Sequence, residues 1–332
     1  MMAEVFQIRL EPHGAAFECG TNQTILDAAV AAGHWLPHSC RAGSCDTCCL
    51  DLVEGAVIHP EGVQLPGGGK CRTCQAHPAR DVVLLAPNVP REPGQRVVTA
   101  GARVIDVSRP SADVTVVKLQ LPSGSGFKFR AGQYADVLMK DGARRSYSMA
   151  NVPNDEGVIE WHVRRMEGGR FSTHAYDKLK VKDLLRVQGP FGSFMLSDRP
   201  APIVLLASGT GYAPIASMLQ AHHAEIAARG AVLYWGGRQW SDLYAVDSID
   251  AWEATFPGVR IVPVLSEPGA GWRGRSGFVH AAVLEDLPDL SMHEVYACGN
   301  PLMIDAARAA YVGERGLPSE HFHSDAFVLT NR

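Results

Sequence analysis

Apolar and polar positions alternate over Val5–Leu10 and again over Ala15–Cys19, the two-residue period of half-buried strands. Asn22 or Thr24 then stands ahead of a short apolar stretch, Ile25–Ala32, that stops at Gly33, which predicts a capped helix. A strand at Cys49–Val53, a turn at Glu54-Gly55, a glycine-rich polar loop at Pro66–Lys70 and the apolar run Asp81–Ala86 complete a small α+β domain over residues 1–86. Residues 87–96 (PNVPREPGQR) hold three prolines and two arginines and read as a linker. Residues 97–198 are rich in strand patterns, at Val97–Val107, Val114–Leu121 and Tyr134–Met139, with turns at Pro122–Gly126 and Asp141-Gly142.

From residue 199 to 332 the pattern changes. Pro202–Ala207 is apolar throughout, as in a strand covered on both faces. A turn at Ser208–Pro214 follows, then a helix to about Arg229 that ends at Gly230. Strands at Val232–Gly236, Arg260–Leu265 and Glu294–Cys298 alternate with helical stretches, which predicts a doubly wound parallel α/β sheet. Ligands of such sheets bind at the carboxyl ends of the strands, where the glycine turn lies.

Composition narrows the class. The chain of 332 residues is long enough for two or three domains, and its 46% hydrophobic and 20% charged residues are those of a globular protein. A net charge of −4 with no basic run argues against a nucleic-acid partner. No apolar run approaches a membrane span, and MMAEVFQIRL, with its early Glu4, lacks the apolar stretch of a signal peptide. A cytoplasmic, monomeric protein without a membrane partner is expected.

Eight cysteines change the picture more than any of these: Cys19, Cys40, Cys45, Cys48, Cys49, Cys71, Cys74 and Cys298. A disulfide framework suits a chain of this length and thiol clustering poorly. Cys40-Arg-Ala-Gly-Ser-Cys45-Asp-Thr-Cys48 has the C-x4-C-x2-C spacing of a plant-type [2Fe-2S] site. Two bridged irons need four converging thiolates. A tight loop with a glycine at Gly43 can supply three, and the fourth comes from elsewhere. Cys71-Arg-Thr-Cys74 could also be half of a structural zinc site, so a colourless, non-enzymatic zinc-binding interaction module remains the competing reading.

Residues 1–86 resemble a plant-type ferredoxin of β-grasp fold. That resemblance implies Cys40, Cys45, Cys48 and Cys74 as cluster ligands, since Cys74-Gln75 matches the family's fourth ligand; Cys71 is the runner-up. Asp46 departs from the family pattern, in which a small residue is usual, and an extra carboxylate there would lower the potential. Cys19 and Cys49 read as small strand residues.

Arg145-Ser146-Tyr147-Ser148, then Glu160-Trp-His-Val-Arg164, then Gly168-Gly-Arg-Phe-Ser172 and Gly189-Pro-Phe-Gly-Ser193 are each weak alone. The Gly-Gly-x-x-Ser stretch could present backbone N–H groups to an anion or be an ordinary turn before a helix. In this order the segments resemble the flavin domain of the ferredoxin–NAD(P) reductase superfamily, an antiparallel barrel that holds FAD. The resemblance implies that Arg145 meets the FAD pyrophosphate, Tyr147 stacks on the isoalloxazine and Ser148 lies near flavin N5. Ser146, His162, Val163, Arg164, Arg170, Phe171 and Ser172 would hold the rest of the cofactor.

GTGYAPI, YWGGR and VYACGNPLM resemble the pyridine-nucleotide domain of the same superfamily. Gly209, Thr210 and Gly211 would lie along the NAD(P) phosphates, and Cys298 and Gly299 near the nicotinamide. Phe327 would be the terminal aromatic returned to the flavin. Bland readings exist for both end residues: a buried thiol for Cys298, a core aromatic for Phe327. Arg238, after the second strand, favours NADPH; resemblance to oxygenase reductases favours NADH, which is the expectation adopted, with Asp242 further on.

The order ferredoxin, flavin domain, nucleotide domain resembles the reductase components of bacterial multicomponent oxygenases, phenol hydroxylase reductase among them. It equally resembles the CDP-6-deoxy-glucoseen reductases of deoxysugar synthesis. Either implies an NAD(P)H-dependent oxidoreductase. NAD(P)H gives a hydride, FAD takes the electron pair and releases it singly, and a [2Fe-2S] cluster passes single electrons to a partner protein. Ser148, Cys298 and Phe327 would align the reacting atoms. The expected partner is an oxygenase component acting on aromatics or hydrocarbons; the alternative is a deoxysugar dehydrase.

Overall fold

The computed structural model describes residues 4–60, 62, 64–66, 70–87, 89 and 94–328. The chain divides into two units: Met1–Val98 with Gly189–Ser193, and Thr99–Gln188 with Phe194–Arg332.

In the first unit five strands form a mixed sheet in the order Ala15–Gly20, Val5–Glu11, Val82–Leu85, Cys49–Glu54, Lys70–Arg72. Val5–Glu11 runs antiparallel to Ala15–Gly20 and parallel to Val82–Leu85, the mixed pairing of a β-grasp sheet. The period-two pattern sends Ile8, Leu10 and Phe17 inward, where they are buried, as are Ile25 and Leu26 of the helix Ile25–Ala31. Thr24, rather than Asn22, caps that helix: its hydroxyl accepts from the Asp27 N–H at 3.1 Å. The predicted linker 87–96 falls partly outside the described residues, at 88 and 90–93. The rest is not a free tether. Gly94 N–H donates to Gly33 C=O at 2.8 Å, and the Trp35 indole donates to Gln95 C=O at 3.2 Å. The chain is thereby fastened to the residues that end the helix.

The second unit carries two architectures. Six strands form one sheet in the order Arg144–Ser148, Tyr134–Leu138, Leu184–Phe191, Val98–Ser108, Val114–Gln120, Val158–Arg164, and Val114–Gln120 runs antiparallel to both its neighbours, as Tyr134–Leu138 does to Arg144–Ser148. A bridge from Met149 to Trp161 joins the two edges, so the sheet closes on itself. Trp161 and Val163 are fully buried inside it. Glu160, His162 and Arg164 alternate with them on the other face.

The remaining six strands are all parallel, in the order Arg275–Ser276, Arg260–Leu265, Val232–Gly237, Ile203–Ser208, Glu294–Gly299, Phe322–Ala326. The direction of travel reverses after Ile203–Ser208, so the switch point lies between that strand and Glu294–Gly299. The predicted turn Ser208–Pro214 is shorter than expected: a single 3-10 turn, Gly209–Gly211, leads straight into the helix Tyr212–Ala228. Pro214 is tolerated there because a first-turn N–H has no intrahelical acceptor to lose. Inside, Tyr212 stacks on Trp235 at 4.1 Å between ring centroids, fixing the start of that helix against the neighbouring strand. Among the described residues no helix is long and apolar enough to cross a membrane.

Candidate redox sites

The cluster loop runs from Cys40 to Cys48 ahead of the strand Cys49–Glu54. Two of its residues, Arg41 and Asp46, adopt φ of 52°, and Gly43 adopts 76°, so the chain reverses repeatedly within a few residues. Asp is one of the few side chains that tolerates this region, which accounts for Asp46 better than tuning alone. Its carboxylate is also met by the Arg72 guanidinium at 2.7 Å, which offsets the charge expected to lower a cluster potential. Gly43 is required by space as well. A Cβ there would fall 2.2 Å from the Gln75 side chain, whose amide donates to Ala42 C=O at 3.1 Å.

The thiols meet in two pairs. Cys48 Sγ lies 3.2 Å from Cys74 Sγ. Cys40 and Cys45 contact each other; that contact, opposed by burial and helped by loop N–H groups, pulls the Cys40 thiol down to about 6 and pushes Cys45 up. Two facing pairs suit two bridged metals. Cys71 is fully buried on its strand opposite Leu50, and burial raises its thiol to about 12. Cys19 is likewise fully buried, its thiol pushed up to about 11 mainly by burial. Neither competes with Cys74.

Arg145, Ser146, Tyr147 and Ser148 lie on one barrel strand, so alternate residues face opposite ways. The Tyr147 ring packs against Trp161 and Phe171, with centroids 5.6 and 5.4 Å away. Phe171 and Ser172 are buried in the first turn of the helix Arg170–Asp177, whose N-cap is Gly169. A Cβ at Gly169 would fall 2.2 Å from Ser172 Oγ, so the glycine permits the tight entry. Ser172 Oγ accepts from Met166 N–H at 3.2 Å, and Arg170 pairs with Asp141.

The predicted flavin residues do not form one group. His162 Nδ1 lies 2.8 Å from the Tyr244 hydroxyl and Nε2 lies 2.9 Å from Glu160, in a cavity of about 250 Å³ also bordered by Tyr212 and Gln220. Val163 points into the barrel core, so only its backbone could meet a cofactor. Arg164 donates to Asp113 at 2.8 Å and lies beside Gly209, placing it with the nucleotide turn rather than with Tyr147.

At the switch point two backbones come close. A Cβ on Gly211 would fall 2.1 Å from Cys298 C=O, and one on Gly299, at φ 127°, would fall 2.4 Å from Ser208 Oγ. Glycine is needed at both. Cys298 is fully buried, and burial, with the nearby Asp325 carboxylate, holds its thiol well above the ordinary range. It is therefore a neutral thiol and not a nucleophile. Beside it in the sheet is Asp325, its register partner. Ser148 Oγ donates to Asp325 Oδ2 at 3.3 Å, joining the barrel to the parallel sheet at a buried contact. Asp325 had no mark in the sequence beyond lying two residues before Phe327. Its strand is anchored two residues earlier, where His323 Nε2 meets the buried Glu294 at 2.5 Å. Phe327 packs against the core of the parallel-sheet domain, and its N–H donates to Gly299 C=O at 2.8 Å.

Residues 8–79 match the 2Fe-2S iron-sulfur cluster binding domain, residues 101–196 the oxidoreductase FAD-binding domain and residues 205–309 the oxidoreductase NAD-binding domain. The chain is 37% identical over 325 residues to the CDP-6-deoxy-L-threo-D-glycero-4-hexulose-3-dehydrase reductase of Yersinia pseudotuberculosis, covering 97% of this chain and 98% of that one. The chain belongs to the ferredoxin–NAD(P) reductase superfamily. The reductase is also 35% identical to terephthalate 1,2-dioxygenase reductase component 1 of Comamonas sp, with 98% of each chain covered. Its fold matches the crystal structure of the Amycolatopsis cytochrome P450 reductase GcoB with a TM-score of 0.81 at 31% identity, covering 97% of this chain and 98% of that one. The reductase is thus an NAD(P)H-dependent flavoprotein oxidoreductase whose cofactors are a [2Fe-2S] cluster, FAD and the nicotinamide nucleotide. The two thiol pairs and the glycine-lined switch point fit the first and last of these groups.

Proposed function

We propose that this reductase carries electrons from NAD(P)H through FAD to its [2Fe-2S] centre, and from there singly to the oxygenase component of an aromatic or hydrocarbon hydroxylating system. The observation that carries the reading is the pairing of thiols, Cys40 with Cys45 and Cys48 with Cys74, in the same chain as a nucleotide-binding switch point. Each pair would hold one iron. Bound FAD supplies the exchange between a two-electron donor and a one-electron acceptor.

The chain's own residues have alignment to do, and no acid or base is needed for a hydride. Ser148 Oγ spends its proton on Asp325 Oδ2, so the hydroxyl is fixed in direction and offers its lone pairs outward. Cys298, neutral and buried, fills the end of its strand and shapes the floor of the site. Gly209, Thr210 and Gly211 bring backbone N–H groups toward the nucleotide phosphates. Arg145, Arg170 and the first turn at Gly169–Ser172 supply the positive charge and donors for the flavin phosphates. The domains are residues 1–86, 97–198 and 199–332. The reading keeps a cytoplasmic monomer acting without nucleic acid, in line with the net charge of −4.

A second reading has a specific observation behind it. The 37% identity to a hexulose dehydrase reductase is slightly above the 35% to a dioxygenase reductase, so a deoxysugar dehydrase is the alternative acceptor. Anaerobic titration with NADH tests the shared part: two irons and one FAD per chain, with visible bleaching, are expected, and a colourless zinc protein would overturn it. Mixing the reduced protein with a purified oxygenase component and, separately, with a purified dehydrase component tests the acceptor. Faster re-oxidation with product formed by the dehydrase alone would replace the first reading by the second.

A further inference from the structure

The strand Val232–Gly237 is the second of the parallel sheet, and the residues just past its carboxyl end face the adenosine ribose in dinucleotide folds of this kind. Arg238 stands there. Alone it would favour a 2′-phosphate. It is not alone. Asp242 folds back over the turn, and its Oδ2 accepts from Arg238 N–H at 2.9 Å, Gln239 N–H at 3.3 Å and Arg238 Nε at 3.3 Å. Gly237 makes room for this, since a Cβ there would fall 2.9 Å from Asp242 Cβ. On its other side Arg238 meets Asp113, which approaches from the barrel: Nη2 lies 3.9 Å from Asp113 Oδ2. That same carboxylate oxygen is held at 2.8 Å by Arg164, the side chain lying beside Gly209.

The ion-paired groups at this turn are thus two guanidinium groups, Arg164 and Arg238, and two carboxylates, Asp113 and Asp242. A 2′-phosphate dianion would have to take Arg238 from both acids while lying against them. A ribose 2′-hydroxyl donates a proton and meets no such repulsion. We infer that Asp113 and Asp242 hold Arg238 as an engaged ion-pair partner and make this site select NADH over NADPH. Asp113 is the less obvious member, because it belongs to the loop before the strand Val114–Gln120, in a different domain from the nucleotide turn. The inference rests on the NAD(P)H-reductase reading and specifies its donor.

The test uses the FAD- and cluster-loaded protein and two fragments, 5′-AMP and adenosine 2′,5′-bisphosphate, with binding read by calorimetry. Wild type is expected to bind 5′-AMP at least tenfold more tightly than the bisphosphate. Asp113→Asn should raise bisphosphate affinity about three- to tenfold and leave 5′-AMP within twofold. Asp113→Asn with Asp242→Asn should go further. Arg238→Ala should change bisphosphate affinity less than threefold in wild type but abolish the gain in the Asp113→Asn background. FAD content is measured for each variant, and the single Asp113→Asn change leaves the turn capped by Asp242 intact. A wild type that prefers the bisphosphate, with the preference lost in Arg238→Ala, would overturn the inference while leaving the reductase reading standing. Failure to bind either fragment or either dinucleotide would overturn both.

Discussion

Nine consecutive residues, Cys40 to Cys48, carry three of the four thiols proposed for the cluster, and Cys74, the proposed fourth, lies 3.2 Å from Cys48. The proposed hydride site is assembled differently. Ser148 and Asp325 stand 177 positions apart, and Cys298 reaches them as the strand neighbour of Asp325. In the first region a loop conformation brings the chemistry together: φ values of 52° at Arg41 and Asp46 and 76° at Gly43 turn the chain around the thiols. In the second, sheet register does it. A local site depends on backbone turns that a few residues dictate. A register-built site depends on every strand between its members being in place.

The comparison breaks most sharply at Cys40. Replacing this thiolate with a hydroxyl removes a proposed metal ligand, and hydroxyl oxygen is a poor partner for iron in these clusters. Cys40→Ser is expected to abolish reduction of a one-electron protein acceptor such as cytochrome c, with loss of bound iron. NAD(P)H-dependent ferricyanide reduction, which draws on the flavin directly, should stay within about twofold of wild type. Equal loss in both assays would show that the two regions do not act in sequence.

The next largest effect is expected at the switch point. Gly211→Ala places a methyl group 2.1 Å from Cys298 C=O, which is backbone and has little freedom to move. The turn Gly209–Gly211 and the end of the strand Glu294–Gly299 must part locally, at a cost of about 1–3 kcal/mol in stability. A displacement of this kind at a positioning site is worth roughly 100-fold in rate. Ferricyanide and cytochrome c activities should fall together, the opposite of the Cys40→Ser pattern. Steady-state kinetics with both acceptors on the same preparation checks this.

Asp325→Asn probes the same region more gently. The change keeps shape but removes the charge that orients the Ser148 hydroxyl. A fall of about tenfold to a hundredfold in kcat is expected. KM for the nucleotide should be nearly unchanged, because Asp325 is buried and its carboxylate accepts from Ser148, a residue proposed to align the reacting atoms. If KM rises with kcat unaltered, Asp325 serves binding rather than alignment. Ser148→Ala should mimic the part of the loss that comes from the Ser148–Asp325 contact, and in the double variant that part should not be counted twice.

These differences also explain what could be read beforehand. The spacing C-x4-C-x2-C is a property of adjacent residues, so the cluster loop was legible before any strand was paired. The parallel sheet was legible because the continuous apolar run Pro202–Ala207 is what a strand covered on both faces requires, and because the later strands alternate with helical stretches. Asp325 was not legible. A lone acid in His-Ser-Asp-Ala has no local signature, and its burial beside Cys298 exists only through parallel register. Asp113 escaped notice for the same reason, as did Tyr244, which holds His162 from 82 positions away. The shortness of the turn at Gly209–Gly211 was hidden by Pro214, which reads as a breaker in sequence yet sits harmlessly in the first turn of a helix.

The smallest effect is expected where the cluster loop meets its own glycine. In Gly43→Ala the added Cβ would lie 2.2 Å from Gln75, close to the clash distance at Gly211, but the obstacle is the far end of a side chain. Gln75 can swing away at the cost of its 3.1 Å hydrogen bond to Ala42 C=O. What remains is the left-handed backbone, since Gly43 sits at φ 76°, and an L-residue there costs about 1–2 kcal/mol. The lost hydrogen bond adds about 1 kcal/mol. The expected result is a loop that still binds iron but loses it several-fold faster to a chelator, with ferricyanide activity unaffected. Iron release followed by visible absorbance measures this directly. Release as fast as in Cys40→Ser would mean that backbone geometry at Gly43 matters to the cluster as much as a ligand does, and the local site would then be no more forgiving than the register-built one.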